Sequence, residues 1–321
     1  MKRTVVDLFC GCGGFSRGFL EEGFDIVLGI DIDVKASKSF SENFPKAVIL
    51  QADIREIHGG EISKVIGEPP DVVIGSPPCE PFTPANPKRM ENELDRLYTD
   101  EIGILTLHFI RLVGELNPKI FIMENVPQLV EGELDYFIRW EFSRIGYKEI
   151  YLNILRAEQF DTPSIRKRLF ISNIPIKLVG RKRRINVEDA LKGLEDPMGI
   201  ISCLNHEITP ISERKLKKIA RLKWGDSLIT FKGANGKFYR NWIRLHPKRV
   251  APTVMGGSRF IHPYENRLLT VREQARLMGF PDDHVFYGKR EEQYNQVGEA
   301  VPPTVSRAIA KYVKKYLEKV D

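Results

Sequence analysis

The feature that most constrains the fold of this chain is an alternation, through its first half, of short apolar runs with amphipathic stretches. Residues 4–9, 26–30, 47–50, 71–75 and 119–123 are rich in Val, Ile, Leu or Phe and read as strands. Residues 15–22, 34–44, 101–116 and 129–145 carry apolar side chains at three- and four-residue spacing and read as helices, the last two ending near Asn117-Pro118 and Gly146. Strands separated by helices pair side by side in one direction, which implies a parallel sheet covered on both faces. The expected fold class is therefore α/β, with a doubly wound, Rossmann-like sheet.

The alternation stops after a strand-like run at 168–172. Residues 173–269 are basic, carry scattered Gly and Pro, and show one clear amphipathic helix at 212–222. We expect them to form a smaller inserted domain. A helical pattern resumes at 270–278, and 303–320 reads as a last helix returning to the main body. The expected division is residues 1–172 with 295–321 as the main domain, 173–269 as the insert, and 270–294 as a hinge that supports it.

A net charge of +6 is a weak signal, but its distribution is sharper. From residue 211 to 250 there are twelve Lys or Arg against two acids, so the rest of the chain is slightly acidic. Such a basic block suits local contact with phosphate. Cys10, Cys12, Cys79 and Cys203 form no CxxC pair and lie at no zinc-like spacing from a His, so neither a metal site nor a disulfide framework is expected. No apolar run reaches the roughly 20 residues that span a bilayer, and Met1-Lys2-Arg3-Thr4 leads straight into a strand-like segment. The expected setting is soluble, reducing and cytoplasmic, with no membrane partner.

The first strand runs into Asp7-Leu8-Phe9-Cys10-Gly11-Cys12-Gly13-Gly14-Phe15, a glycine-rich turn that opens a helix. Glycines allow a ligand close to the backbone, and the helix amino terminus favours a carboxylate or phosphate. Asp31, at the end of the second strand, lies where a nucleotide fold grips ribose hydroxyls, and Asp53, after the third, lies where an adenine edge would be met. Ser16 stands where a dinucleotide fingerprint needs its third glycine, which favours a mononucleoside-like cofactor such as S-adenosylmethionine. Taken alone the turn is a weak signal, because many strand-to-helix turns are glycine-rich for packing reasons.

The most specific segment is Asp71-Val72-Val73-Ile74-Gly75-Ser76-Pro77-Pro78-Cys79-Glu80-Pro81-Phe82-Thr83, a strand feeding a proline-stiffened loop with one cysteine. Paired prolines restrict the backbone and hold the thiol in place. Ligands of open parallel sheets sit at the carboxyl ends of the strands, so Cys79 belongs to the same rim as the glycine turn. This loop resembles the Pro-Pro-Cys-Gln-Pro-Phe motif of the cytosine-5 DNA methyltransferase family. The resemblance extends in order along the chain: Asp7 to Gly14, Glu124-Asn125-Val126, Pro163 to Arg168, Arg267 to Pro281 and Gly298 to Pro303 each match a family motif, and only the basic insert stands outside.

The resemblance implies a class I methyltransferase sheet whose insert is a target-recognition domain. It implies a thiolate, Cys79, that adds to carbon 6 of cytosine so that carbon 5 can take a methyl group from S-adenosylmethionine. Glu124 would hydrogen-bond the base at its ring nitrogen and amino group, and Arg168, with Arg166 beside it, would hold the carbonyl oxygen. Cofactor contacts are implied for Phe9, Gly11, Gly13, Gly14, Asp31, Asp53, Ile54, Pro77, Glu299 and Val301. Four positions depart from the family pattern: Ser76 replaces Gly, Glu80 replaces Gln, Ser164 replaces Gln and Glu299 replaces Asn.

The insert interleaves cations with aromatics around Trp224 and from Lys237 through Phe238, Tyr239, Arg240, Trp242 and Arg244. That mixture suits phosphate contact plus stacking at a distorted base step, with Lys217, Lys218, Arg221, Arg240 and Arg244 expected on DNA. The plain reading is a solvated helix face followed by a hairpin with core aromatics. Double-stranded DNA is the expected partner, the enzyme a monomer, and a restriction endonuclease a possible companion. A tRNA-directed relative would carry a Cys-Phe-Thr signature in the insert, which Cys203-Leu204-Asn205 does not supply. A nicotinamide oxidoreductase would use the sheet and Asp31 but leave Pro77-Pro78-Cys79 unexplained.

Overall fold

The computed structural model describes residues 3–199 and 202–320. Residues 1, 2 and 321, assigned above to the main domain, and 200–201 of the insert lie outside the described residues. The strands are β1 (Thr4–Leu8), β2 (Asp25–Asp31), β3 (Val48–Gln51), β4 (Val72–Gly75), β5 (Ile120–Asn125), β6 (Tyr151–Arg156), β7 (Lys167–Ser172), β8 (Ser227–Lys232), β9 (Phe238–Arg244) and β10 (Phe260–Ile261). The helices are α1 (Gly14–Glu21), α2 (Val34–Asn43), α3 (Gly59–Ile66), α4 (Glu93–Tyr98), α5 (Leu105–Leu116), α6 (Leu134–Arg144), α7 (Val187–Leu191), α8 (Glu213–Ile219), α9 (Val271–Leu277), α10 (Arg290–Glu299) and α11 (Pro303–Val320).

The first seven strands form one sheet in the order β3-β2-β1-β4-β5-β7-β6. The strand interiors read as continuous apolar runs because both faces are covered, and successive residues feed opposite layers. Val6, Leu8, Val73 and Phe121 join the layer under α3, α5 and α6, whereas Val5, Val72, Ile74 and Ile122 join the layer under α1, α2 and α11. On α11, Val305, Ile309, Val313 and Leu317 are all buried at four-residue spacing. Each such side chain contributes on the order of 1.5–3 kcal/mol before the entropy of ordering it is subtracted. Helix α1 comes so close to α11 that a Cβ on Gly18 would stand 2.2 Å from the Arg307 amide nitrogen.

The sheet is not wholly parallel. β7 pairs antiparallel with both β5 and β6, so one strand of the seven is reversed. β6 is not among the strands expected from the sequence: it is an edge strand, half-exposed along most of its length, and shows neither a continuous apolar run nor a clean alternation. The reversal matters for the site. It sets Asn125, at the end of β5, opposite Leu169, near the start of β7, and so brings Arg168 to the rim where β5 ends.

Within the stretch read as an insert, β8 and β9 form an antiparallel hairpin, and β10 joins β9 in a separate three-stranded sheet. Beneath it, Ile243, Leu245, Ala251, Val254 and Phe260 share a core with α9 and α10 side chains, among them Ala275, Leu277, Tyr294 and Val297. A smaller cluster joins Ile219 of α8 to Ile261 and Leu268.

Candidate active site

Strands β1 and β4 are neighbours, with Val5 opposite Val72 and Leu8 opposite Gly75. Their carboxyl ends therefore lie side by side, and the glycine turn and cysteine loop that follow them share one rim. Gly75 is needed for that approach, because a Cβ there would stand 2.2 Å from the Leu8 carbonyl oxygen. The rim encloses a cleft of about 920 Å³ lined by Phe9, Gly11, Gly14, Asp31, Asp53, Ile54, Pro77, Cys79, Glu124, Arg166, Arg168, Glu299 and Val301, among others.

The glycine turn is held from below and from the side. Phe9 and Gly11 sit at φ 64° and 53°, in the left-handed region. The Gly11 amide donates to Asp31 Oδ2 at 2.7 Å, and the Asp33 amide donates to Asp31 Oδ1 at 2.9 Å. Nothing stands within 4 Å of where a Gly11 Cβ would be, so the cleft is open there. Gly13 differs from its neighbours: it does not line the cleft, and a Cβ on it would overlap the Phe44 ring at 2.1 Å. That overlap gives Gly13 a packing role at the start of α1. Beneath the turn, Asp7 is buried, with Oδ2 accepting from the Ser16 hydroxyl at 2.6 Å and Oδ1 unpartnered. Burial pushes its carboxyl up to about 8.

Asp53 reaches the cleft, but its carboxylate is already engaged by Arg55, whose Nε lies 3.0 and 2.9 Å from the two oxygens. That partner holds its pKa below the usual range. Glu299 also lines the cleft, and burial together with the charges of Glu80, Asp31 and Asp33 raises its carboxyl to about 7. Gly298, next to it, lets the chain pass Met255, since a Cβ there would stand 2.2 Å from the Met255 carbonyl.

On the other side of the cleft, Arg168 Nε lies 3.0 Å from Glu124 Oε1, with both side chains largely withdrawn from solvent. Burial pushes the Cys79 thiol above its ordinary pKa, the Arg168 guanidinium pulls it back down, and Glu80 and Glu124 push it up again. Asn125, which the sequence reading did not single out, holds the cysteine loop: its Nδ2 donates to the Pro77 carbonyl at 3.0 Å and its Oδ1 accepts from the Val126 amide at 2.8 Å. Its place beside Glu124 on the strand end was the available signal.

Arg166 has a different role from Arg168. Although it borders the cleft, its guanidinium is buried and donates to the carbonyls of Val254 at 2.8 Å and Gly298 at 3.0 Å. Around it, residues 163–165 pair in a strand-like way with Ala251, the Ile165 amide donating to the Ala251 carbonyl and the Ala251 amide to the Pro163 carbonyl, both at 2.9 Å. Arg166 thus stitches the arginine motif to the end of the insert and to the last motif. Ser164 is fully buried and donates to the Leu277 carbonyl at 2.7 Å, which gives this departure from the pattern a packing role against the end of α9.

The model of the family described as C-5 cytosine-specific DNA methylase matches residues 3–315, nearly the whole chain. The chain belongs to the C-5 cytosine-specific DNA methylase family. This methylase is 49% identical over 319 residues to a Methanocaldococcus jannaschii protein named as a type II methyltransferase, M.MJ0563P, covering 98% of this chain and 100% of the relative. It is 34% identical over 340 residues to the type II methyltransferase M1.HphI of Haemophilus parahaemolyticus, covering 98% and 87%. A solved structure titled as a DNA modification methyltransferase encoded within an E. coli prophage superposes with a TM-score of 0.80 at 27% identity, covering 99% of this chain and 100% of that one. The family and the named relatives make the protein a DNA (cytosine-5-)-methyltransferase, which sets aside the oxidoreductase reading.

The basic residues of the insert divide into two groups. Lys217, Lys218 and Arg221, on and just after α8, and Arg240 on β9 are exposed. Arg244 is not: it is 5% exposed, and its guanidinium donates to the carbonyls of His262, Glu265 and Ile219 and to Asn266 Oδ1. It ties β9 to the end of α8, and its expected DNA contact is corrected accordingly. The methylase cleft also receives Tyr239, Thr253, Met255 and Gly256 from the same region. No local pattern marks them, because they reach the cleft only through tertiary packing. Among the described residues no cluster of metal-ligating side chains occurs, and no helix is long and apolar enough to cross a membrane.

Proposed function

We propose that this methylase transfers the methyl group of S-adenosylmethionine to carbon 5 of a cytosine flipped out of double-stranded DNA, within a specific sequence, through a covalent Cys79 adduct. The observation that carries the reading is the convergence, in one cleft, of the Cys79 loop, the Arg168–Glu124 ion pair and the open turn at Gly11. The cofactor side fits a nucleoside with a charged tail: Phe9, Ile32, Ile54 and Val301 supply apolar walls and Asp31 an acceptor. When bound, S-adenosylmethionine supplies a methyl carbon activated by a sulfonium.

The chain's own groups would do the rest. Cys79 Sγ adds to carbon 6 as a thiolate, and the ring electron pair moves toward carbon 5. Glu124 hydrogen-bonds the ring nitrogen and amino group, and Arg168 holds the carbonyl oxygen, so charge on the ring develops against fixed partners. Loss of the carbon 5 proton re-forms the double bond and expels Cys79. The resting thiol is kept mostly protonated by burial, and Arg168 favours the thiolate.

We assign residues 173–269 to target recognition, with Lys217, Lys218, Arg221 and Arg240 on phosphates. Flipping the base costs a few kcal/mol that such contacts help offset. The family description and the type II naming of the relatives favour DNA over tRNA and a cognate restriction endonuclease as companion. The test is DNA carrying 5-fluorocytosine at the target, where carbon 5 has no proton to lose. A denaturation-resistant adduct is expected, dependent on S-adenosylmethionine and absent in Cys79→Ser. Peptide mapping of the adduct to Cys10, Cys12 or Cys203, or full methylation by Cys79→Ala, would overturn the reading.

A further inference from the structure

The cysteine loop does not stand free at the mouth of the cleft. It winds as successive turns: the Cys79 carbonyl accepts from the Phe82 and Thr83 amides at 3.1 and 3.0 Å and from the Thr83 hydroxyl at 2.9 Å. The Asn86 amide donates to the Thr83 carbonyl, and Asn86 Nδ2 to the Glu80 carbonyl, both at 3.0 Å. These bonds brace the loop from Cys79 to Asn86, the segment that contains Pro84 and Ala85.

Pro84 and Ala85 abut the turn of the β8–β9 hairpin. Gly233 is buried there, while Lys232 before it and residues 234–237 after it are exposed. A Cβ on Gly233 would stand 2.5 Å from Tyr239 Cε2, 2.9 Å from the Pro84 carbonyl oxygen and 3.1 Å from Ala85 Cα. The Gly233 φ lies outside the left-handed region, so close approach rather than backbone conformation demands glycine. Tyr239 is held by two partners: its ring stacks on Phe231 with centroids 5.7 Å apart, and its hydroxyl accepts from Asn235 Nδ2 at 3.1 Å. Its sequence neighbours Phe238 and Arg240 are exposed, as strand alternation requires.

We propose that the β8–β9 hairpin is the stop against which the cysteine loop seats, with Gly233 the contact point, so that placement of the hairpin on DNA and placement of Cys79 are mechanically coupled. Gly233 is a positioning residue: it touches the loop's backbone, and its effect on the reaction runs through where Cys79 comes to rest. The inference depends on Cys79 being the nucleophile. A displacement of about 1 Å in a reacting group can cost on the order of 100-fold in rate.

The test is Gly233→Ala, with Gly233→Val as a larger wedge, measured by single-turnover methyl transfer on target DNA. Cofactor affinity, DNA affinity at fixed salt and the thermal midpoint are measured alongside. The expected result is a rate lowered about 10- to 100-fold, more by Val than by Ala, with cofactor affinity unchanged and any fall in DNA affinity or midpoint too small to account for the rate loss. A wild-type rate in Gly233→Val, or a rate loss fully accounted for by lost DNA affinity or by unfolding at the assay temperature, would overturn the proposal. Cys79→Ser in the same assay separates the two readings. Activity in that variant defeats the nucleophile assignment, whereas an inactive Cys79→Ser beside a fully active Gly233→Val defeats the stop alone.

Discussion

Replacing Arg166 with Met keeps the length and apolar stem of the side chain while deleting its guanidinium. Two well-formed bonds are lost, to the Val254 carbonyl at 2.8 Å and the Gly298 carbonyl at 3.0 Å, along with a longer approach of 3.4 Å to the Glu299 carbonyl. Hydrogen bonds from a charged donor contribute about 1.5–3 kcal/mol each, so the two short ones account for roughly 3–6 kcal/mol. Against this stands the cost of burying the charge, visible as a guanidinium pKa pushed down by burial and by Arg168 beside it. Met avoids that cost. The expected net loss is about 2–4 kcal/mol, read as a lower urea midpoint at unchanged slope. Because the carbonyls it releases belong to the insert end and the last motif, cofactor binding should weaken as well. A loss under about 1 kcal/mol, or unchanged unfolding with methyl transfer abolished, would return Arg166 to the reacting base and refute this reasoning.

Neutralising Lys217, Lys218 and Arg221 together should weaken DNA binding and flatten its salt dependence by up to about 0.9 log units per lost phosphate contact, leaving cofactor affinity alone; an unchanged slope in a salt titration would make α8 a solvated face. Asp31→Ala removes the acceptor that holds the Gly11 amide at 2.7 Å. Calorimetry should then find S-adenosylmethionine bound about 10-fold or more weakly, and equal affinity would take Asp31 out of the site. The Asp7 carboxyl, pushed up to about 8, keeps its proton in the folded chain over a range where the unfolded chain has lost it. Its stabilising contribution is therefore whole below about pH 4 and is lost as pH rises to about 8. Asp7→Asn should flatten the fall in thermal midpoint between about pH 5 and 8, and parallel profiles for the two proteins would show that another group titrates there.

The parts of this protein legible in its sequence are those whose cause is local. Apolar runs such as Val72 to Gly75 are strands because both sheet faces are covered, and the prolines on either side of Cys79 stiffen its loop whatever packs around it. Those two facts, with the turn from Phe9 to Gly14, place a glycine turn and a thiol on one rim before any contact is known. What periodicity cannot report is which long-range neighbour a side chain meets. Arg166 and Arg168 look equivalent, two residues apart in one motif. The reversal of β7 leaves Arg168 against Glu124, while strand-like pairing with residues 251–254 buries Arg166 among carbonyls. Arg244 reads as one more cation of a basic block, but β9 turns it inward onto the end of α8. Gly13 reads as part of a ligand cradle, yet the Phe44 ring occupies the space its side chain would need. Tyr239 enters the cleft because a hairpin more than a hundred residues along the chain folds back onto the Cys79 loop. Local sequence determines which elements form and which way their side chains alternate; only the packing of distant elements decides which polar groups are desolvated and paired, and so which charges are left to meet a substrate.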